Sequence, residues 1–307
     1  MEDAEVKKII AEIENQLAGD PEKDMDIWME WGERYRGDPD AEPLTREIIR
    51  RILDLAIEEE GDLPQEIFND IVASADEEYA EACSLIGKRQ YDEALHKLLV
   101  LSEVIRVYQL PEDTIWMDFN SYLDALNYQD HYKDLIGDRE IGRHPLHPGR
   151  ILFTTGSLLI EMDRAEEAVE ILERLLTYDP VCPHYLFELG EAYKRTGNIR
   201  DAAENALWAI SWASNRGELA RGYRDLAYCL CETEAYEDAV MIYLLSLHYE
   251  SSLNAQSELA WIRKRTGIST DGYNDTAILE RCKELNIPTD ISETVRNNLE
   301  FLDTIRQ

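Results

Sequence analysis

A spacing constrains this chain more than any composition value. A small residue is followed by alanine at a fixed interval four times: Ala82 with Ala94, Gly156 with Ala168, Gly190 with Ala202, and Ala227 with Ala239. Glycine inside a helix costs about 1 kcal/mol relative to alanine, so a glycine kept at such a place needs a compensating contact. Close approach of two helices supplies one, because a larger side chain pushes the axes beyond the usual spacing of about 8–10 Å. The stretch "LFELGEAYKRTGNIRDAAENALWAI" therefore reads as two helices packed through Gly190 and Ala202, with Ala209 serving the next helix and Tyr193 and Tyr243 filling the space beside the small residues.

Apolar residues recur with helical period in most windows, and short Gly, Pro, Asp and Asn clusters interrupt them. No window alternates as a strand does, so the expected fold class is all-α. Between Ala82 and Gly156 there is room for one further repeat, whose key places hold Asn120 and Tyr132, so that repeat is expected to be degenerate. "SELAWIRKRTG" reads as a further first helix, with its partner near "TAILERCKEL" after the loop "ISTDGYND". Residues 1–70 lie outside this register. They read as three helices broken at "GDPEKD" and "RGDPDAEP", with Thr45 as an N-cap and Gly61 at the end of the third. A last helix follows Pro288, and Asp290 with Glu293 outlines a capping box for it.

Composition narrows the function. The 307 residues are 44% hydrophobic, enough for a sizeable core. The net charge of −33 repels nucleic acid and anionic membrane surfaces. The N-terminus is amphipathic and acidic, unlike a signal peptide, and no apolar run reaches membrane-span length. The expected location is cytoplasmic. Cys83, Cys182, Cys229, Cys231 and Cys282 are scattered and odd in number, which points to reduced, buried helix residues rather than disulfides or a metal centre. No phosphate loop, metalloprotease motif or EF-hand spacing is present. His144 and His147, in "GRHPLHPGR", read as a proline-locked turn. No cofactor, no metal site and no enzymatic activity are expected.

The periodic pattern resembles the tetratricopeptide repeat, whose motif W-x2-L-G-x2-Y, A-x3-F, P spans about 34 residues. Leu186, Leu189, Gly190, Tyr193, Ala202 and Ala206 match it in one repeat, and Leu152, Gly156, Leu159, Ala168, Leu172 and Pro180 in another. Tyr223, Leu226, Ala227, Leu230, Ala239, Tyr243 and Ser246 supply a third. The resemblance is strongest over residues 149–250. It implies a right-handed α-solenoid of tandem helix-turn-helix units over residues 71–285, an N-terminal helical region over 1–70 acting as a bundle or cap, and a capping helix over 286–307.

It also implies a concave groove lined by the first helix of each repeat. Carried onto this sequence, the lining comprises Arg150 and Phe153; His184, Phe187, Lys194 and Arg195; Arg221, Arg224 and Tyr228; and Trp261, Lys264 and Arg265, with Glu161, Glu191 and Glu232 among them. Residues 149–265 carry 12 basic and 19 acidic side chains, whereas this lining carries seven basic and three acidic. Arginine with aromatic residues is the usual anchor chemistry of a binding surface. Alternatively, these cations pair with acidic neighbours such as Glu191. The two-carboxylate clamp of chaperone-tail binders is not matched: Phe153, Ser157, Glu188 and Asp225 depart from it, and only Arg221 is compatible. The reading is a non-catalytic scaffold that binds an acidic or aromatic-bearing peptide segment of another protein, or alternatively a sensor that changes superhelix shape on binding a short peptide or small ligand. A homo-oligomer is compatible with the sequence.

Overall fold

The computed structural model describes residues 1, 3–35, 41, 43, 44, 47, 48, 51, 55, 65–108 and 110–305. Its packing divides the chain into two compact units, residues 1–112 with 144–158, and residues 113–143 with 159–307. The expected third N-terminal helix, with Thr45 and Gly61, lies largely outside the described residues.

In the first unit, α1 (Asp3–Glu14) and α2 (Pro21–Arg34) form a small bundle around Ile10, Ile13, Trp28, Trp31, Leu44 and Ile48. Asp24 holds the connection between them, its two carboxylate oxygens accepting the backbone N–H groups of Ala18 and Gly19 at 2.6 and 2.9 Å. Then α3 (Gln65–Gly87) and α4 (Tyr91–Val107) pack as a hairpin in which Ala82 and Ala94 are both fully buried.

The second unit is an α-solenoid. α7 (Pro148–Glu161) begins in the first unit and leads into it. Then follow α8 (Ala165–Leu176), α9 (Pro183–Arg195), α10 (Ile199–Trp212), α11 (Arg216–Glu232), α12 (Tyr236–Tyr249), α13 (Leu253–Thr266), α14 (Asp275–Glu284) and α15 (Glu293–Ile305). Asn198, Asn215, Ser252 and Asn274 cap four of these helices, each side chain accepting a backbone N–H from the first turn. Gly156, Gly190 and Ala227 are all buried, as are Ala168, Ala202 and Ala239.

The repeat register is written most plainly in the turns. Asp163, Gly197 and Glu234 each lie in the left-handed region, at φ 61°, 78° and 61°. Each stands five places before its alanine. The residue after each donates its N–H back into the preceding helix: Arg164 to the Leu159 carbonyl at 2.9 Å, Asn198 to Tyr193 at 2.9 Å, and Ala235 to Leu230 at 2.8 Å. The hairpin of the first unit repeats this turn, with Arg89 at φ 61° and Gln90 donating to the Leu85 carbonyl at 3.0 Å.

Residues 112–140 do not form the expected degenerate helical repeat. Instead β1 (Thr114–Met117) pairs in parallel with β2 (Glu140–Arg143), with α5 (Tyr122–His131) and the single turn α6 (Lys133–Ile136) crossing between them. Thr114 lies opposite Glu140, and Trp116 opposite Gly142. A Cβ on Gly142 would fall 2.8 Å from the Trp116 ring, so the glycine lets the ring lie across the neighbouring strand. This insertion packs with α15: Asn298 donates to Asn127 at 3.0 Å, and Met117, Tyr128 and Val295 share one core with Phe187 and Trp212. The cap of α15 is also corrected. Ser292 rather than Asp290 accepts from its first turn, through Val295 N–H at 3.4 Å, while Asp290 pairs with Arg296 at 2.9 Å.

Candidate functional surface

α9 and α11, the first helices of two successive repeats, lie side by side, and their inner positions meet. The Arg221 guanidinium sits 4.5 Å over the Phe187 ring, and its Nε lies 3.9 Å from Asp225. Asp225 also accepts from Lys194 at 3.0 Å. Lys194 lies 2.8 Å from Glu191 and 5.5 Å over the Tyr228 ring. Glu191 in turn accepts from Arg195 at 3.1 Å, whose other arm donates to the Ile160 carbonyl at the end of α7 at 2.7 Å. Arg224 pairs with Glu250 at 3.1 Å.

Much of the expected positive charge is therefore matched within the repeat array. Asp225 and Glu250 are the partners that the lining positions by themselves omit. Asp225 is legible as an i,i+4 neighbour of Arg221, but Glu250 comes from the end of α12. Burial opposes charge on Glu191, but the hydrogen bonds from Lys194 and then Arg195 outweigh it and hold its carboxyl below the ordinary value. Burial likewise opposes charge on Lys194, and Asp225 and Glu191 reverse that, leaving its ammonium raised.

The aromatic residues divide. Phe187 is 3% exposed, a core residue shared with Met117, Tyr128 and Val295, so it serves as a floor for Arg221 and offers no ring face to a ligand. Tyr228 is half-buried beneath Lys194. Trp261 is 46% exposed and forms a separate group on α13, with Arg265 at 5.4 Å over its ring and Tyr236 at 6.3 Å. Arg265 also donates to the Tyr236 hydroxyl at 3.0 Å. Lys264 and His184 are exposed. Arg150 and Phe153 belong to the first unit, where Arg150 pairs with Asp76 and lies 4.8 Å over Tyr79.

Arg221 and Arg224 each donate no hydrogen bond among the described residues, but the Arg221 side chain is 40% exposed against 23% for Arg224, and its position is fixed by the ring beneath and the carboxylate beside it. A planar guanidinium so held is suited to bidentate capture of a carboxylate. A cavity of about 280 Å³ elsewhere in the unit involves Leu245, His248, Tyr249, Ile278 and Leu279, and none of the residues expected in the groove. His144 is buried, and its Nδ1 accepts the Leu146 N–H at 3.2 Å, as a turn residue does. Cys83, expected to be buried, is exposed. Among the described residues no helix is long and apolar enough to cross a membrane.

Residues 149–182 match the family model of the tetratricopeptide repeat. No curated protein matches the chain in sequence. Among solved structures, MamA from Desulfovibrio magneticus RS-1, residue 41 to its end, is 14% identical, with 76% of this chain and 97% of that chain covered and a TM-score of 0.39. The MamA RS-1 ArsTM double mutant gives the same values. The matched repeat, and the turn that recurs at Gly197 and Glu234 after it, show that this chain carries helical repeats of the tetratricopeptide type.

Proposed function

We propose that the α9–α11 surface receives an acidic segment of a partner protein, with Arg221 as the carboxylate anchor and His184 and Arg195 at its edge. The observation that carries this reading is the held but unspent guanidinium of Arg221, 4.5 Å above Phe187 and 3.9 Å from Asp225. A carboxylate placed there gains a charge-assisted, two-pronged hydrogen bond on a side chain that is already ordered, so little rotamer entropy is lost on binding. The exposed Trp261 with Arg265 and Lys264 offers a second contact for an aromatic residue of the same segment, by stacking and cation–π attraction.

Fluorescence anisotropy with a panel of short peptides tests the proposal. Peptides carrying paired acidic residues and one aromatic should bind, and their charge-reversed counterparts should not. Arg221→Glu should abolish the binding with helicity unchanged. Equal binding of both panels, or undiminished binding by the variant, would place the site elsewhere.

A further inference from the structure

Three ligating side chains meet inside the second unit. Asp124 is 5% exposed, Asp179 is 0% and Cys182 is 1%. One oxygen of each carboxylate and the Cys182 sulfur all lie within 4.8 Å of one another. Asp124 sits in the first turn of α5, where the Ser121 hydroxyl donates to it at 2.7 Å. Asp179 and Cys182 belong to the connection between α8 and α9. One Asp179 oxygen accepts the Asn120 N–H at 2.9 Å, and the other, fully buried, accepts no hydrogen bond.

The electrostatics of this place favour a cation. The strongest charged neighbours of the two carboxylates, Asp118 and Glu218, are themselves acids. Isolated buried carboxylates are severely penalised unless they are neutralised. Burial, followed by repulsion from Asp124, pushes the Asp179 carboxyl up to about 8. Burial pushes Asp124 up to about 6, and the Cys182 thiol is raised as well.

We propose that Asp124, Asp179 and Cys182 bind one divalent transition-metal ion of the zinc type. Two carboxylates with a thiolate suit such an ion, whereas calcium and magnesium take oxygen ligands and avoid sulfur. Tetrahedral coordination at zinc distances needs ligand atoms roughly 3.5 Å apart, so from their present limit of 4.8 Å the three groups close by up to about 1.3 Å. The second Asp179 oxygen or a water completes the fourth position. On binding, the thiol proton and any proton shared by the carboxylates leave for solvent, and the thiolate and carboxylates share the positive charge. Such an ion would pin the connection between two repeats to the β–α–β insertion.

The test uses the full chain, stripped with chelator and kept reduced, with Co²⁺ added both to folded protein and during refolding from urea. One equivalent should bind, with a sulfur-to-cobalt charge-transfer band, and one equivalent of Zn²⁺ should raise the melting temperature. Cys182→Ser should lose the sulfur band and weaken Zn²⁺ binding at least tenfold. Asp179→Asn replaces a carboxyl whose charged form burial and Asp124 already disfavour, so it should melt close to the native chain and yet gain nothing from Zn²⁺. Circular dichroism of both variants confirms helicity. A cobalt spectrum without the sulfur band, no bound cobalt by either route, or an equal Zn²⁺-dependent rise in Asp179→Asn would overturn the proposal. The last result assigns binding to the acidic surface.

Discussion

A Cβ on Gly222 would lie 2.5 Å from Cγ1 of Ile210. This is the close approach that the repeat spacing foreshadows, but it joins α10 to α11 and not the two helices of one hairpin. At Gly190 the expected crowding is absent, because an added Cβ would sit 3.8 Å from Asn205 and 3.9 Å from the Ala202 carbonyl oxygen, ordinary contact distances. Gly222→Ala should therefore destabilise the protein by about 1–3 kcal/mol through overpacking. Gly190→Ala should be neutral or stabilising by up to about 1 kcal/mol, through helix propensity. Urea unfolding of the two variants checks both, and a reversed order would refute the packing described.

The recurring turn makes a second prediction. Asp163 and Glu234 hold the conformation that Gly197 adopts without strain. A left-handed non-glycine residue is penalised by about 1–2 kcal/mol, part of which is returned by its lower entropy in the unfolded chain. Asp163→Gly and Glu234→Gly should each raise stability by about 0.5–1 kcal/mol, and Gly197→Ala should lower it by about 1 kcal/mol. Melting temperatures of the three single variants decide the matter.

Phe187 and Arg221 touch but do different work, and substitution separates them. Phe187→Ala should cost about 3–5 kcal/mol, as deletion of a buried ring does. Arg221→Ala, at a half-exposed position, should change stability by about 0.5 kcal/mol or less while lowering affinity for acidic peptides. Thermal melts and peptide titrations on the same samples read both effects. A large loss of stability in Arg221→Ala would make the residue structural.

Acid titration should register the Lys194–Glu191–Arg195 network. The Glu191 carboxyl is held below its ordinary value of 4.5 in the folded chain, so its contribution is present above that pH and is lost as pH falls through the folded value. The Glu191→Gln variant should be less stable than the native chain near neutrality, and the difference should shrink below about pH 4. Melting temperature followed against pH tests this, and a difference that stays constant would exclude the network as its source.

Which parts of this protein could be read from its residues follows from the range of the forces involved. Helices, their caps and the hairpin turns arise from neighbours a few places apart, so the spacing from Gly190 to Ala202 carried the repeat directly, and the four equivalent turns agree with it. The strand pair did not show, because Thr114–Met117 is too short for a period and finds its partner only at Glu140–Arg143, across an intervening helix. The expected groove suffered for a related reason. Position along α9 and α11 brought Lys194, Arg221 and Arg224 to one surface, but position does not say that Asp225 and Glu250 pair with them, nor that Phe187 shares a core with Val295 and Met117.

The amino-acid sequence by itself determined that this chain is a succession of helices paired at regular intervals, because helical period and turn chemistry act locally. The tertiary structure alone decided which inner-face cation stays accessible above a buried ring and which acids are gathered around Cys182. Those outcomes rest on burial and on contacts between segments tens of residues apart, whose energies appear only once the helices have packed.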